Sequence, residues 1–276
     1  MNDDLQKQIA TLWEAGDDWR DVMAVWEAQG LVRSAIMMLD RGEARVAEVV
    51  GDDVVVHEWA KQAILLWFRV QEMQIIEAGP FEYVDKLPLK HGYKAAGVRV
   101  VPGASARFGA YLAPGVVMMP SYVNVGAYVD EGSMTDTWST VGSCAQIGKR
   151  VHLAGGVGIG GVLEPPEAVP VVIEDDCFIG SRCMIVGGAR VRAGAVLGAG
   201  VILAPTTPVI EAETGNEVGR GDVPRRAVVV QGTRMKDYPG GQFGLPCALI
   251  LRYLDEGQRH DRLQLNAILR EHGIVS

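Results

Sequence analysis

Residues 172–203 read VIEDDCFIGSRCMIVGGARVRAGAVLGAGVIL and place an aliphatic residue at every sixth position. These positions are Ile173, Ile179, Ile185, Val191, Leu197 and Leu203. Four residues after each stands a mostly small one, such as Cys177 or Ala195. A period of six matches neither an amphipathic helix, at about 3.6, nor a half-buried strand, at about 2. It indicates a short strand and a turn, repeated along the chain.

The same register runs upstream of this stretch. Its aliphatic or branched positions are Val117, Val123, Val129, Thr135, Val141, Ile147, Leu153 and Ile159. Three six-residue units complete one coil of a triangular parallel β-helix, with the aliphatic residues pointing inward. We predict roughly six coils between Arg99 and Pro208, in a prism about 30 Å long if stacked strands lie about 4.8 Å apart.

The register is interrupted once, between Ile159 and Ile173. This step takes 14 residues, two more than two repeats, and it contains Pro165, Pro166 and Pro170. Proline removes a hydrogen-bond donor from a strand ladder. We therefore predict an outward loop at residues 164–172. Loops on a rigid scaffold often carry binding residues, although a plain surface excursion fits the pattern equally well.

The repeat divides the chain into three predicted parts: an N-terminal α/β domain (1–98), the β-helix (99–208) and a small C-terminal cap (209–276). Helical spacing in the first part runs through two groups: Val22, Val25 and Trp26, then Ala35, Ile36, Met38 and Leu39. A strand pair around 51–53 and a helix over 58–70 follow. The cap is predicted to hold a hairpin over 210–218, strands over 227–230 and 248–251, and a helix over 261–272. The predicted fold class is therefore mainly β.

Composition narrows the possible partners. The formal net charge is −8, which argues against a nucleic-acid or anionic-membrane surface as the main partner. The acidic start lacks an apolar run behind it, and no apolar stretch is long enough to span a membrane, so we expect a cytoplasmic protein. Four cysteines without a Cys-x-x-Cys pair indicate reduced, mostly buried thiols.

Two familiar site types are excluded by the pattern. The run Gly156–Gly161 fits G-x-G-x-x-G, but prolines follow it where a dinucleotide site needs a helix. His152 is the one histidine within the repeats, so we expect no metal site on the β-helix. His152 itself is open to two interpretations, a general base or a structural surface residue.

Other polar residues in the repeats are candidates for chemistry. Asp130 and Asp136 each follow an inward position, where a short carboxylate can either cap the turn or react. Arg99 and Arg107 can bind a carboxylate or simply lie exposed. Residues 220–262 hold eight basic and five acidic side chains, which favours a polyphosphate ligand or a solvated charged face.

Several motifs carry a family resemblance: PSYVNVGAYVDEG at 120–132, DTW at 136–138, VGSCAQIG at 141–148 and GVGIGGVLEP at 156–165. The chain resembles the tetrahydrodipicolinate N-succinyltransferase family from about Leu39 to its C-terminal strands. The resemblance implies a left-handed β-helix and a homotrimer with active sites between subunits. It also implies succinyl-CoA or acetyl-CoA as cosubstrate, no permanently bound cofactor, and an amino diacid of the lysine and diaminopimelate pathway as acceptor.

The resemblance also suggests roles for individual residues. Arg99 corresponds to the family's arginine for the substrate carboxylate, and Asp136 to its catalytic, substrate-contacting aspartate. We expect Asp136 to accept the amine proton and Arg107 to assist in substrate binding. The expected acyl-CoA contacts are Gly160, Gly161, Arg234, Lys236 and Arg252, with backbone N–H groups of the glycine run as oxyanion donors. No nucleophile motif surrounds Cys144, so an acyl-enzyme is not expected.

One departure from the family pattern opens alternatives. The family's site glutamate is replaced by Met184, whose thioether cannot carry charge or move a proton. A diverged acetyl-CoA-dependent acyltransferase of tabtoxin biosynthesis is therefore an alternative to the succinyltransferase. A non-catalytic solenoid scaffold is another, and an acyltransferase with His152 as its base is a third.

Overall fold

The computed structural model describes residues 2–257 and 270. Helices dominate its first part: α1 (Asn2–Glu14), a 3₁₀ turn (Gly16–Asp18), α2 (Trp19–Val22), α3 (Val25–Asp40) and α4 (Glu58–Val70). The predicted helix over 58–70 is confirmed. Buried side chains of the helices, including Ile36, Ile64 and Trp67, form one apolar core. Because this burial supplies most of the stability of short helices, α3 and α4 persist without side-chain caps at their N-termini.

The first group of apolar residues is helical, as predicted, but its side chains are exposed. Val22, Val25 and Trp26 are all exposed, Trp26 by 73%. They lie at the end of α2 and in the first turn of α3, before the point where α3 packs against the other helices. Ala35, Ile36 and Leu39 are buried as predicted, since they lie on the packed face of α3.

Two β-hairpins belong to the same part of the chain. The first hairpin pairs Ala47–Val50 with Asp53–Val56 and confirms the strand pair predicted around 51–53. The second hairpin pairs Gln74–Ala78 with Phe81–Asp85. Arg45, just before the first hairpin, lies over the ring of Tyr128, and Arg190 donates to the Asp52 carbonyl. The first hairpin therefore packs against the β-helix.

The predicted parallel β-helix is confirmed as three walls of two-residue strands. The first wall consists of Arg99–Val100, Val117–Met118, Met134–Thr135, His152–Leu153, Phe178–Ile179 and Val196–Leu197. The second wall consists of Ser105–Ala106, Tyr122–Val123, Thr140–Val141, Gly158–Ile159, Met184–Ile185 and Ile202–Leu203. The third wall consists of Tyr111–Leu112, Tyr128–Val129, Gln146–Ile147, Val172–Ile173, Arg190–Val191 and Asp222–Val223. Each strand pairs in parallel with the strand one coil away.

The inward register is confirmed at thirteen of the fourteen predicted positions and wrong at Val117. There Met118 is fully buried and Val117 only half-buried. The step from Met118 to Val123 takes five residues instead of six, so the register before this point is displaced by one. Thr135 also points inward, and its hydroxyl hydrogen-bonds the Ser121 hydroxyl at 2.9 Å, which satisfies both buried groups.

The interruption of the register is a loop. Ile159 and Ile173 lie on neighbouring walls, so fourteen residues replace a six-residue step. The chain leaves the second wall after Ile159 and enters the third wall at Val172. Residues 160–171 are here called the insertion loop; at its ends the Gly160 N–H still donates to the Ile185 carbonyl, and Val171 is buried in the core.

The C-terminal part closes the prism. Pro208–Glu211 pairs with Glu217–Arg220 and confirms the predicted hairpin. The strands predicted over 227–230 and 248–251 are parts of one long hairpin, Ala227–Tyr238 with Gly241–Tyr253, which continues the first wall. Residue 270 aside, the helix predicted over 261–272 lies outside the described residues.

Two further expectations concern cysteines and membrane helices. All four cysteines are buried and free, as predicted. In the described part of the chain, no single helix is long and apolar enough to cross a membrane. The helical segments 16–22 and 25–40 reach the length and apolar composition of a membrane span only when they are counted together, and they are bent by 116° relative to each other.

Candidate active site

Asp136 lies at the turn that follows the first-wall strand Met134–Thr135. Its Oδ1 accepts hydrogen bonds from the Thr137 backbone N–H at 2.7 Å and from the Thr137 hydroxyl at 3.2 Å. A short carboxylate after an inward residue suits this local bonding. One carboxylate oxygen therefore fixes the turn, while Oδ2 is directed elsewhere.

The nearest partner of Oδ2 is His152. Its Nε2 lies 3.5 Å from Asp136 Oδ2, and its ring packs edge-on against Phe178 at 5.3 Å. His152 begins the first-wall strand directly beside Met134, because one coil separates them. From the sequence, Asp136 and His152 were alternative candidates for the general base, whereas in the structure their side chains are neighbours. One coil was predicted to take eighteen residues, and counting eighteen residues from Met134 leads to His152. This count could have identified the pair from the sequence.

The pKa of the Asp136 carboxyl lies below its ordinary value. Burial is the largest single influence and acts to raise it, but hydrogen bonds from Thr137 and His152 together outweigh burial. Asp136 is therefore ionised at neutral pH. A carboxylate in this state can orient a substrate amine and accept its proton.

Asp136 and His152 line a groove of about 1,400 Å³ along the first wall, here called the first-wall groove. Arg150 and Asp176 form a two-pronged ion pair on its side, at 2.6 and 2.7 Å. Arg225 and Arg226 lie at its C-terminal end. The groove thus combines a carboxylate–imidazole pair with two arginines at an end that also holds Asp255 and Glu256, and Arg226 pairs with Glu256 at 3.8 Å.

Arg99 and Arg107 do not contact Asp136. Arg99 lies exposed on the first wall, two coils before Met134, which corresponds to roughly 10 Å. Arg107 lies on the second wall, where its guanidinium pairs with Asp85 at 2.7 Å and reaches Asn124. Within one chain, neither arginine completes the site around Asp136.

The expected oxyanion donors of the glycine run are largely committed to the backbone. The N–H groups of Gly156, Gly158 and Gly160 donate to the carbonyls of Thr137, Cys183 and Ile185 at 2.8–2.9 Å. Coil stacking therefore uses the N–H groups of these three glycines. Gly161 adjoins Gly142 so closely that a Cβ on Gly142 would lie 2.2 Å from the Gly161 nitrogen.

The other expected acyl-CoA contacts lie on the long C-terminal hairpin. Arg234 pairs with Glu217 at 3.0 Å, and Lys236 lies over the Tyr238 ring. Arg252 lies on the strand beside Val228, five strands from Met134 and therefore roughly 24 Å away. In place of these three, Arg225 and Arg226 line the groove together with Arg150.

Met184 lies on the second wall, away from Asp136. Its side chain is 43% exposed and covers Gly158, whose added Cβ would meet Met184 Sδ at 2.5 Å. The position that carries glutamate in the family and the Asp136–His152 pair therefore lie on different walls of one chain.

A buried lysine holds the insertion loop. Lys61 of α4 is fully buried, and its Nζ donates to the carbonyls of Pro165 at 3.1 Å and Ala168 at 2.7 Å. Burial lowers the pKa of this ammonium, and the carboxylates of Glu167 and Glu58 act in the opposite direction. Lys61 is thus a direct link between the N-terminal helices and the loop.

Replacing Lys61 by methionine should loosen this loop without unfolding the protein. Methionine fills the buried space, but it donates no hydrogen bond to the loop carbonyls. We expect endoproteinase Glu-C to cleave after the exposed Glu167 about tenfold faster. Lys86→Met is the matched control, because Lys86 donates to the Phe68 carbonyl and not to the loop. Equal cleavage rates in the two variants would contradict the role of Lys61.

Comparisons with known proteins agree with this architecture. A model of the tetrahydrodipicolinate N-succinyltransferase N-terminal domain matches residues 4–70. A model of the hexapeptide repeat of succinyl-transferases matches residues 170–205. The two matches cover the helical part and the second half of the β-helix.

Full-length relatives extend the comparison. A protein of Alkalilimnicola ehrlichii named 2,3,4,5-tetrahydropyridine-2,6-dicarboxylate N-succinyltransferase is 52% identical over 274 residues, 97% of this chain and 99% of its own. A protein of the same name from Paramagnetospirillum magneticum is 47% identical over 279 residues, 97% and 98% of the two chains. Identity at this level over both whole chains shows that this acyltransferase belongs to the tetrahydrodipicolinate N-succinyltransferase family.

Proposed function

We propose that the protein transfers the succinyl group of succinyl-CoA to the nitrogen of tetrahydrodipicolinate or a closely related amino diacid. The observation that carries the proposal is the Asp136–His152 pair in the first-wall groove. Tetrahydrodipicolinate is a cyclic imine without an N–H, so water must first add to its C=N bond. The resulting amine nitrogen attacks the thioester carbonyl carbon, the C–S bond breaks and the CoA thiol leaves. The nitrogen must lose a proton in this step, and the pair is placed to receive it.

Asp136 is the proposed proton acceptor. Its Oδ1 is held by Thr137, so Oδ2 is the oxygen that can meet the amine. Protonation of a lysine-like amine, with a pKa of about 10.4, would otherwise remove the nucleophilic lone pair. His152, at 3.5 Å, can hold the carboxylate in place or relay the proton onward.

The complete site requires a second copy of the chain. Arg99 is roughly 10 Å from Asp136 along the first wall, and Met184 lies on the second wall. A neighbouring copy can place its own first or second wall across the groove and bring such residues together. We therefore propose a homotrimer with sites between subunits, in which Arg99 binds a substrate carboxylate and Arg107 lies farther out.

The donor is proposed to bind along the same groove. Arg225 and Arg226 at its C-terminal end are proposed to bind phosphate oxygens of CoA with two hydrogen bonds each, in exchange for their carboxylate partners Glu174 and Glu256. Arg234, Lys236 and Arg252 remain proposed contacts for the outer part of the donor. Gly160 and Gly161 remain proposed contacts through their lack of side chains, which lets a ligand approach the backbone.

The alternatives have less support. The relatives that span the whole chain are named N-succinyltransferases, which favours neither the tabtoxin acyltransferase nor a non-catalytic scaffold. The retained Asp136–His152 pair also speaks against a scaffold, which would not need it.

The donor is the part of the proposal to test first. We expect kcat/KM with tetrahydrodipicolinate to be at least about tenfold higher for succinyl-CoA than for acetyl-CoA, measured as thiol release. A preference for acetyl-CoA would replace succinyl transfer by a diverged acetyl transfer. Absence of release with either donor would favour the scaffold.

A further inference from the structure

A second cavity lies between the first hairpin and the third wall. Its volume is about 340 Å³, within the roughly 300–1,000 Å³ of small-molecule sites. Its charged lining consists of Arg45, Glu48, Asp130, Glu174, Asp175 and Arg225. Asp136 and His152 do not line it, and Arg225 and Ala193 mark the corner where it meets the first-wall groove. This junction cavity is therefore separate from the reaction site.

Arg45 is held in the junction cavity in a fixed orientation. Its guanidinium stacks 3.7 Å above the ring of Tyr128, and its Nε donates to Gln146 Oε1 at 3.0 Å. Gln146 is itself buried, and its amide nitrogen donates to the Cys144 carbonyl, so its oxygen must face Arg45. No described residue accepts a hydrogen bond from the terminal nitrogens of Arg45. This free edge matches a carboxylate with two parallel hydrogen bonds.

Two carboxylates of the junction cavity offer a free oxygen. Asp130 Oδ1 accepts the Glu131 N–H and Asp175 Oδ1 accepts the Lys149 N–H, both at 2.8 Å. For both residues, Oδ2 accepts no hydrogen bond from any described residue. Each aspartate is thus fixed by the backbone on one side and open on the other, which suits an ammonium group.

The net charge of the junction cavity indicates the charge of its ligand. Four carboxylates and two arginines line the cavity. Arg190 pairs with the nearly buried Glu174 and adds a third positive charge, so the cavity has an excess of about one negative charge. A ligand with one net positive charge would neutralise it. Ala47, Val49, Val172 and Ile173 provide an apolar lining beside the charged groups.

We propose that the junction cavity binds a small amino acid with one carboxylate and two amines. The carboxylate meets the free edge of Arg45, the two ammonium groups meet Asp130 and Asp175, and the aliphatic chain lies along Val49 and Val172. Such a ligand would bridge the N-terminal part and the β-helix, since Arg45 precedes the first hairpin and the aspartates follow third-wall strands.

Isothermal titration calorimetry of the full chain with L-lysine, without acyl-CoA or acceptor, tests the proposal apart from the transferase activity. We expect saturable binding of L-lysine. Pentane-1,5-diamine lacks the carboxylate and L-norleucine lacks the second amine, so each should bind at least about tenfold more weakly. Absence of heat with L-lysine at about 10 mM, or equal binding of either analogue, would overturn the proposal.

Two variants test the individual contacts. Arg45→Met keeps an aliphatic side chain over Tyr128 but removes the guanidinium that would bind the ligand carboxylate. Asp130→Asn keeps the oxygen that accepts the Glu131 N–H but removes the negative charge. Each should weaken L-lysine binding by about tenfold to a hundredfold. Glu43→Gln is the control, because Glu43 pairs with Arg41 outside the cavity. Unchanged binding in Asp130→Asn would refute the assignment even if Arg45→Met fails to fold.

Discussion

Replacing Asp136 by asparagine should lower kcat by about 10²–10⁴-fold while KM for both substrates changes little. The amide oxygen of asparagine can still accept the Thr137 N–H, so the turn keeps its shape. The amide has no basic oxygen that can take a proton at neutral pH. Steady-state thiol release with succinyl-CoA measures the change, and gel filtration shows whether the oligomeric state is retained.

Two companion variants separate catalysis from folding. Glu131→Gln changes an exposed carboxylate on a neighbouring turn of the β-helix and should leave kcat unchanged. His152→Gln should reduce kcat less than Asp136→Asn does, and the double variant should be no slower than Asp136→Asn alone, because both residues serve one proton transfer. A kcat of Asp136→Asn equal to wild type would remove Asp136 from the mechanism. A larger loss in His152→Gln would make the imidazole the base.

The pH profile gives an independent test of the same residue. Because the folded pKa of Asp136 lies below its ordinary value of 3.8, the carboxylate stays ionised through the weakly acidic range. Its contribution to folding stability is therefore present above pH 3.8 and is lost only as the pH falls through the lowered folded pKa. An acid limb of kcat/KM that depends on Asp136 must lie in that same low range. An acid limb at higher pH that disappears in His152→Gln would assign proton acceptance to His152.

Replacing Gly142 by alanine should destabilise the β-helix by roughly 3 kcal/mol. A Cβ at this position would lie 2.2 Å from the Gly161 nitrogen and 2.5 Å from the Gly160 carbonyl carbon. Both neighbours are backbone atoms at the start of the insertion loop, so they cannot rotate away as a side chain could. The loop or the second wall must shift to admit one methyl group.

Gly30→Ala is the matched control for this change. Gly30 lies exposed in α3, and an added Cβ would meet no atom within 4 Å. Alanine in a helix interior is favoured over glycine, so this variant should gain roughly 0.5–1 kcal/mol. Urea unfolding followed by circular dichroism measures both free energies. A free energy of unfolding for Gly142→Ala within about 0.5 kcal/mol of wild type would contradict the close backbone contact.

The fold could be predicted because its repeat is local. Each coil consists of two-residue strands and short turns, so an inward residue every six positions reports the wall directly. The error at Val117 has a simple physical source. Val117 and Met118 are both apolar, and nothing in their side chains shows which one points inward. Only the pairing of Met118 with Val100 and Thr135 identifies it.

The site was predictable in part. Position after an inward residue did not separate Asp136 from Asp130, and the family resemblance singled out Asp136; its contact with His152 follows once the coil length is known. The pairing of Arg107 with Asp85 was not predictable, because Asp85 reaches it through the packing of a hairpin that precedes the β-helix. The exposure of Trp26 was missed for a similar reason, since an apolar stripe predicts burial only where a partner surface covers it.

The most direct test of succinyl transfer is mass spectrometry of the acceptor after incubation of the wild-type protein with succinyl-CoA and tetrahydrodipicolinate. We expect a product that carries one succinyl group on nitrogen and the elements of one water molecule, formed in equal amount with free CoA thiol. Folded wild-type protein that releases thiol without acylating the acceptor, or that leaves both substrates unchanged, would contradict the proposed transfer.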